Sequence, residues 1–226
     1  MKSLILVLMG AMGLGSAWAE VVEVELTLPI PAQVDLRGRS TVVVTPFLTV
    51  RFDGRSTTEF RNLDVQKEFD GYLKRILRRS TQLKVVESGP LDLPTHDLSA
   101  LARDGAFWRY VGELTQADLI LAGGLDFDVR QRTGYREEPF STGSITYYRQ
   151  VLVEKSGYEF DILMLVLDGK TGALLYADNF KDFREFDRAR VDPLTGMYEN
   201  LDALEGRIQG IFTQRWIKTP RVMFSH

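Results

Sequence analysis

The chain has 226 residues, 44% of them apolar and 11% aromatic, with a formal net charge of −3, two histidines and no cysteine. That apolar content supports a sizeable core in one domain with an extension, and the mildly acidic balance argues against a nucleic-acid surface. Thiolate zinc sites, Cys–His dyads and disulfides are excluded. A Ser–His–Asp triad would have to recruit His96, in a Pro-flanked loop, or the terminal His226, and no G-x-S-x-G elbow is present. No cofactor and no metal is expected.

Residues 1–19 read as an export signal. Lys2 is the only cation there, residues 4–14 are an apolar run, and Ala17-x-Ala19 is the small-x-small pattern that signal peptidase accepts. The run is too short to cross a hydrocarbon core of ~30 Å as a helix. Cleavage after Ala19 is expected, with Glu20 as the mature N-terminus, a periplasmic location and no transmembrane helix in the mature chain. No cysteine at that point is available for lipid attachment.

Residues 20–36 alternate at first (Val22, Val24, Leu26, Leu28) and then meet Pro29 and Pro31, which reads as an extended arm over residues 20–40 or an edge strand. Residues 41–50 are β-branched and read as a buried strand ending at Pro46. After a polar loop, Val65, Phe69, Leu73, Ile76 and Leu77 form one helical stripe, predicting a helix over residues 63–79. Residues 83–87 form a short strand. Asp97 or Ser99 caps a helix over 100–115. Residues 117–129 are a strand whose first half is buried on both faces. Its second half carries Asp126 and Asp128 on one wet face.

Residues 130–144 read as a polar loop. Residues 145–153 and 158–167 then read as strands, with a turn at 154–157. Asp168-Gly169-Lys170-Thr171-Gly172 is a second hairpin turn, leading into a strand over 173–180. Residues 181–199 are charged and contain Pro193 and Gly196, predicting a loop. A last helix runs over 203–216, and residues 220–226 are a tail. Residues 41–219 thus read as a single α/β domain. Its sheet is mixed, with helices on both faces, parallel strands first and an antiparallel hairpin run in the C-terminal half.

Three stretches carry a family resemblance. Val42-Val43-Val44-Thr45-Pro46-Phe47, followed by an amphipathic helix and Leu83-Lys84-Val85-Val86-Glu87, resembles the opening of the CsgG and TolB-N-terminal-like group of bacterial envelope proteins. Ala117-Asp118-Leu119-Ile120-Leu121-Ala122-Gly123 is similar to that group's "GaDyvltG" strand, and residues 165–175 to its "lrlvdvkTGevl" hairpin. The resemblance spans about residues 41–180. It implies a partner-binding or assembly role in the envelope, as in curli-secretion channels and lipoprotein activators of peptidoglycan synthases, without catalysis. The chain departs from the channel members. It lacks the lipidation cysteine, and its segments 130–158 and 178–200 are heavily charged where membrane hairpins would be inserted. A barrel strand needs an uninterrupted lipid-facing row; Tyr147, Val151 and Val153 begin one, but Arg149 breaks it. No pore is expected.

Asp126 and Asp128 lie about 7 Å apart on one strand face. They suit a hard cation or an acid–base pair only with partners that the sequence does not identify. Gly123-Gly124 precedes no helix, so it reads as close packing, not a phosphate loop. The residues expected to bind a partner are Arg136, Tyr147, Tyr148 and Arg149. The expected partners are envelope proteins or other copies of the chain, compatible with peripheral association at the outer membrane. The expected function is that of an exported, non-catalytic assembly or adaptor protein. The alternative is a periplasmic small-ligand-binding protein or hydrolase.

Overall fold

The computed structural model describes residues 20–51, 63–186 and 191–225, so the export signal lies outside the described residues. Two compact units are present. One spans residues 31–215; the other includes β1 (Glu20–Ile30) and residues 216–225. β1 pairs with β8 (Arg215–Ser225) in a two-stranded sheet. Residues 220–225, expected as a tail, therefore lie in a strand, and the extended arm has a strand partner.

The larger unit is mixed α/β. Its elements in order are β2 (Thr41–Val44), β3 (Leu48–Thr49), α1 (Val65–Ser80), β4 (Lys84–Val86), α2 (Leu98–Arg103), α3 (Gly105–Thr115), β5 (Leu119–Thr142), β6 (Ile145–Asp168), β7 (Leu174–Phe186) and α4 (Pro193–Phe212). The sheet runs β4-β2-β5-β6-β7, with β3 beside β5. β2 pairs in parallel with both β4 and β5, and β5, β6 and β7 are antiparallel. The sheet is thus mixed, parallel first and antiparallel later, as the residue pattern predicts.

Alternation along the central strands sorts their side chains into two clusters. Val42, Val44, Leu119, Leu121, Phe160 and Ile162 pack with α1 (Phe69, Leu73, Ile76) and α4 (Leu201, Leu204, Ile208). Val43, Ile120, Ala122, Leu165 and Leu167 pack with Leu101 of α2 and with Trp108 and Val111 of α3. Two of the large buried side chains in these layers place their polar atoms on backbone carbonyls. Tyr72 Oη donates to the Leu201 carbonyl at 2.7 Å, tying α1 to α4, and Trp108 Nε1 donates to the Leu101 carbonyl at 2.6 Å.

The helix ends follow their capping residues. Asp64 accepts from Lys67 N at the start of α1. Where one helix over 100–115 is expected, two form. Asp97 caps α2, and Asp104 caps α3 by accepting from Phe107 N. A second Asp with cap geometry restarts the chain at Gly105. The C-terminal helix also starts earlier than expected. Pro193 occupies its first turn, with Asp192 as N-cap, so the proline that reads as a breaker is an initiator. α4 ends at Phe212 with Thr213 as its C-cap, and Arg215 already belongs to β8.

Asp118 joins three segments. Its carboxylate accepts from Ser40 N at 2.9 Å and from Thr41 N and Oγ1 at 3.2 and 3.0 Å, and Lys170 Nζ lies 3.0 Å away. The Ser40 amide, aided by Lys170 and Thr41, holds this carboxyl well below the usual aspartate range despite partial burial. The turn that carries Lys170 also meets α3 backbone to backbone: a Cβ on Gly112 would lie 1.9 Å from the Gly169 carbonyl oxygen. Only glycine permits that approach.

Ile120 and Leu121 are fully enclosed, both 0% exposed, one in each cluster. Replacing either by Ala is expected to cost about 2–5 kcal/mol, read as a lower urea midpoint; two unchanged midpoints would refute the central position of β5. For Asp118→Asn, the loss of thermal stability relative to the wild type should be full above the ordinary aspartate value of about 4. Because the folded-state pKa is depressed, the wild-type advantage should shrink as pH falls below that value. A gap between the two melting curves that is independent of pH would contradict the role given to Asp118.

Candidate functional site

β5 and β6 form one antiparallel ladder from Leu119↔Asp168 to Thr142↔Ile145. The expected loop over 130–144 is therefore strand, and no turn interrupts residues 154–157. The reversal comes at Gly143-Ser144, where Gly143 has φ +66°. Glycine at the first position of a two-residue turn is the type II′ requirement, and its twist matches that of the flanking strands. Among the described residues β7 accompanies β6 as far as Ser156↔Phe186. Beyond that point eleven pairs, Arg132↔Lys155 to Thr142↔Ile145, form a two-stranded ribbon among the described residues. At ~3.4 Å per residue it extends about 35 Å.

The ribbon carries all four residues expected to bind a partner. Arg136, Tyr147 and Arg149 share one face with Glu138 and Phe140, because Glu138 faces Arg149 and Phe140 faces Tyr147. Tyr148 lies on the other face, opposite Pro139. Arg136 Nη2 bonds Glu138 at 2.6 Å and Arg149 lies 3.6 Å from the same carboxylate. The Arg136 hydrogen bond leads in holding the Glu138 carboxyl below its ordinary value. Phe140 and Tyr147 stack at 5.4 Å between centroids, with the Arg149 guanidinium 5.8 Å from the Phe140 ring. Tyr148 is 71% exposed.

Four further exposed residues join them, of which Tyr135 and Phe140 escape a reading that places a loop over 130–144. Tyr135 faces Leu152 on the Tyr148 side, and Phe140 and Ile145 lie near the turn; all four are exposed. The signal for them is the period-two alternation of Tyr135, Glu137 and Pro139 against Arg136, Glu138 and Phe140, which needs the segment to be read as a strand.

At the ribbon's root, Asp126 faces Asp161 and Asp128 faces Glu159, so four carboxylates share one side of the sheet. Like charges directly opposite destabilise a ladder, and cations answer them. Arg51 lies 2.8 Å from Asp126 and 3.8 Å from Asp128. Arg130 pairs with Glu159. Lys181 lies 2.6 Å from Glu159 and 3.3 Å from Asp161, and the Glu159 bond leads in raising its pKa. The expected wet face is not found at Asp126, which is 9% exposed beneath Arg51. Among the described residues no group of three His, Cys, Asp or Glu is placed to hold a metal ion. Nearby on β7, Glu185 pairs with Lys155 and Asp182 with Arg184.

A crevice opens where β2 and β4 end. A cavity of about 420 Å³ bordered by Val44, Lys67 and Gly89 adjoins one of about 490 Å³ bordered by Leu48, Leu91 and His96, and both touch Pro46 and Gln66. Doubly wound sheets take ligands at this position. Much of the charge here is already committed: Lys74 lies 3.1 Å from Asp70 and 2.6 Å from Glu87, and Asp64 caps α1.

Among the described residues no helix is long and apolar enough to cross a membrane. No family model matches the chain, and no curated protein does. The hypothetical protein CT253 from Chlamydia trachomatis is similar in structure, with a TM-score of 0.38 and 13% identity over 75% of this chain and 98% of that one. The PelC dodecamer from Paraburkholderia phytofirmans gives 0.37 and 14% over 80% and 96%. Lipoprotein GNA1162 from Neisseria meningitidis gives 0.36 and 11% over 75% and 97%. At these TM-scores the likeness assigns neither family nor function to the chain.

Proposed function

We infer that the chain is an exported, non-catalytic assembly or adaptor protein of the bacterial periplasm, acting by protein–protein binding through the β5–β6 ribbon. The single observation that carries this reading is the ribbon itself. Two strands alone are marginal in water. This pair runs about 35 Å past the sheet and exposes Tyr135, Leu152 and Tyr148 on one face. Its outer strand edge along residues 145–154 has no partner strand among the described residues, and such edges receive added strands. The periplasmic location rests on the expected signal at residues 1–19. The finer assignment, to the CsgG and TolB-N-terminal-like group, rests on the three motifs. Charges interrupt the apolar rows on both faces: Glu137 stands between Tyr135 and Pro139, and Arg149 between Tyr147 and Val151. A membrane barrel needs unbroken rows, so the reading includes no pore.

The small-ligand alternative has one feature in its favour, the crevice beside His96. The ribbon reading is tested by cross-linking in the envelope. The comparison variant has residues 133–154 replaced by Asn-Gly, which removes both strands together and leaves neither unpaired. The wild type should cross-link to copies of itself or to a defined envelope protein. The shortened chain should lose those products while keeping its thermal midpoint. Cross-links that survive the deletion, or a wild type that gives none, would refute binding through the ribbon.

A further inference from the structure

The last four pairs of the ribbon and the turn that joins them differ from the rest. Residues 139–148 contain no charged side chain, in a chain where 26% of residues are charged. Phe140, Ile145, Tyr147 and Tyr148 are 41%, 56%, 47% and 71% exposed. They occupy both faces at the same height: Phe140, Tyr147 and Ile145 on one, Tyr148 with Pro139 on the other. Immediately behind them charge returns on both faces at once, as Glu138 opposite Arg149 and Glu137 opposite Gln150. Charge is therefore segregated along the ribbon's axis, although the exposed Tyr135 and Leu152 stand behind the charged pairs. A protein that covers one face, or adds a strand to one edge, has no need of that arrangement. A lipid surface meets the ribbon end-on and requires it.

We propose that the tip of the β5–β6 ribbon docks on a membrane surface, with Phe140, Ile145, Tyr147 and Tyr148 seated in the interfacial zone. Aromatic side chains with a polar handle favour that zone. From the Glu138–Arg149 pair to the turn the tip measures about 14 Å, enough to pass a headgroup layer of roughly 5–8 Å and reach the acyl boundary. A single copy docks and does not span, because the open backbone edges of one two-stranded ribbon find no partners in hydrocarbon. The charge beside the tip is balanced, with Arg136 and Arg149 against Glu137 and Glu138, and at the root Arg130 and Lys155 are already paired with Glu159 and Glu185. The apolar and aromatic tip, and not headgroup charge, therefore carries the docking. This inference goes beyond protein binding by the ribbon and stands without it.

Vesicle sedimentation with the purified chain from Glu20 onward, free of the apolar run at residues 4–14, tests the inference with no protein partner present. The wild type should partition onto phosphatidylcholine vesicles, to an extent little changed by added phosphatidylglycerol or by salt. Phe140→Ser with Tyr147→Ser should lower partitioning at least about tenfold. The cysteine-free sequence gives a second readout in the otherwise native chain. A polarity-sensitive dye on Ser144→Cys should brighten with vesicles and be quenched by shallow, not deep, lipid-borne quenchers. No partitioning, partitioning indifferent to the double substitution, or a dye that stays in water would each overturn the proposal. Loss of protein cross-links in the double variant, without vesicle binding by the wild type, would reassign the tip to a protein partner and also overturn it.

Discussion

One unbroken register between β5 and β6 governs the rest of the structure. Its root lies in the core, where Leu121, Phe127 and Phe160 must face α1 and α4 while Ile120 and Leu165 face Trp108. A slip of one residue would exchange these two sets, so the core fixes the pairing. The same pairing, carried without a shift from Leu119↔Asp168 to Thr142↔Ile145, decides that Arg136, Phe140 and Tyr147 share a face and that Tyr148 stands on the other. The surface chemistry of the ribbon is thus set far from the ribbon. Gly143 closes the ladder at the one place where a two-residue turn keeps both strands in step.

The junction of ribbon and core presents an electrostatic problem that hydrophobic packing does not solve. Two acid–acid pairs face each other there, and the cations that neutralise them come from three separate places: Arg51 after β3, Arg130 on β5 and Lys181 on β7. Removing one partner of such a buried pair costs more than the pair itself contributes, because the remaining charge is left uncompensated. The arrangement ties the base of the ribbon to the strands on either side of it. Phe183 adds to this tie by seating its ring over Gly157, where no side chain intervenes, with Arg132 at 5.8 Å from the ring.

Much of the α/β core is legible in the sequence because its signals are local. The stripe of α1, the doubly buried run at 119–122 and the Asp-Gly-Lys-Thr-Gly turn each announce themselves within a few residues. The ribbon is not legible in the same way. Its outer pairs bury little, so Arg, Glu and Gly take positions that in a core strand would be apolar, and composition then resembles a loop. Only alternation and the Gly143-Ser144 turn remain as signals. Pro193 misleads for a different reason: proline breaks a helix interior but suits its first turn, and only the cap at Asp192 separates the two cases. The resemblance motifs lie in the core and leave the ribbon's chemistry unassigned.

A ladder that is continuous from core to tip also restricts how the arm can change in length. Inserting one residue in each strand of the shaft would turn every more distal side chain to the opposite side, carrying Tyr148 to where Phe140 and Tyr147 now stand. Inserting two in each preserves the faces and moves the tip outward by about 7 Å. The reach of this arm is therefore quantised, and lineages that lengthen or shorten it without exchanging its surfaces must do so in steps of four residues.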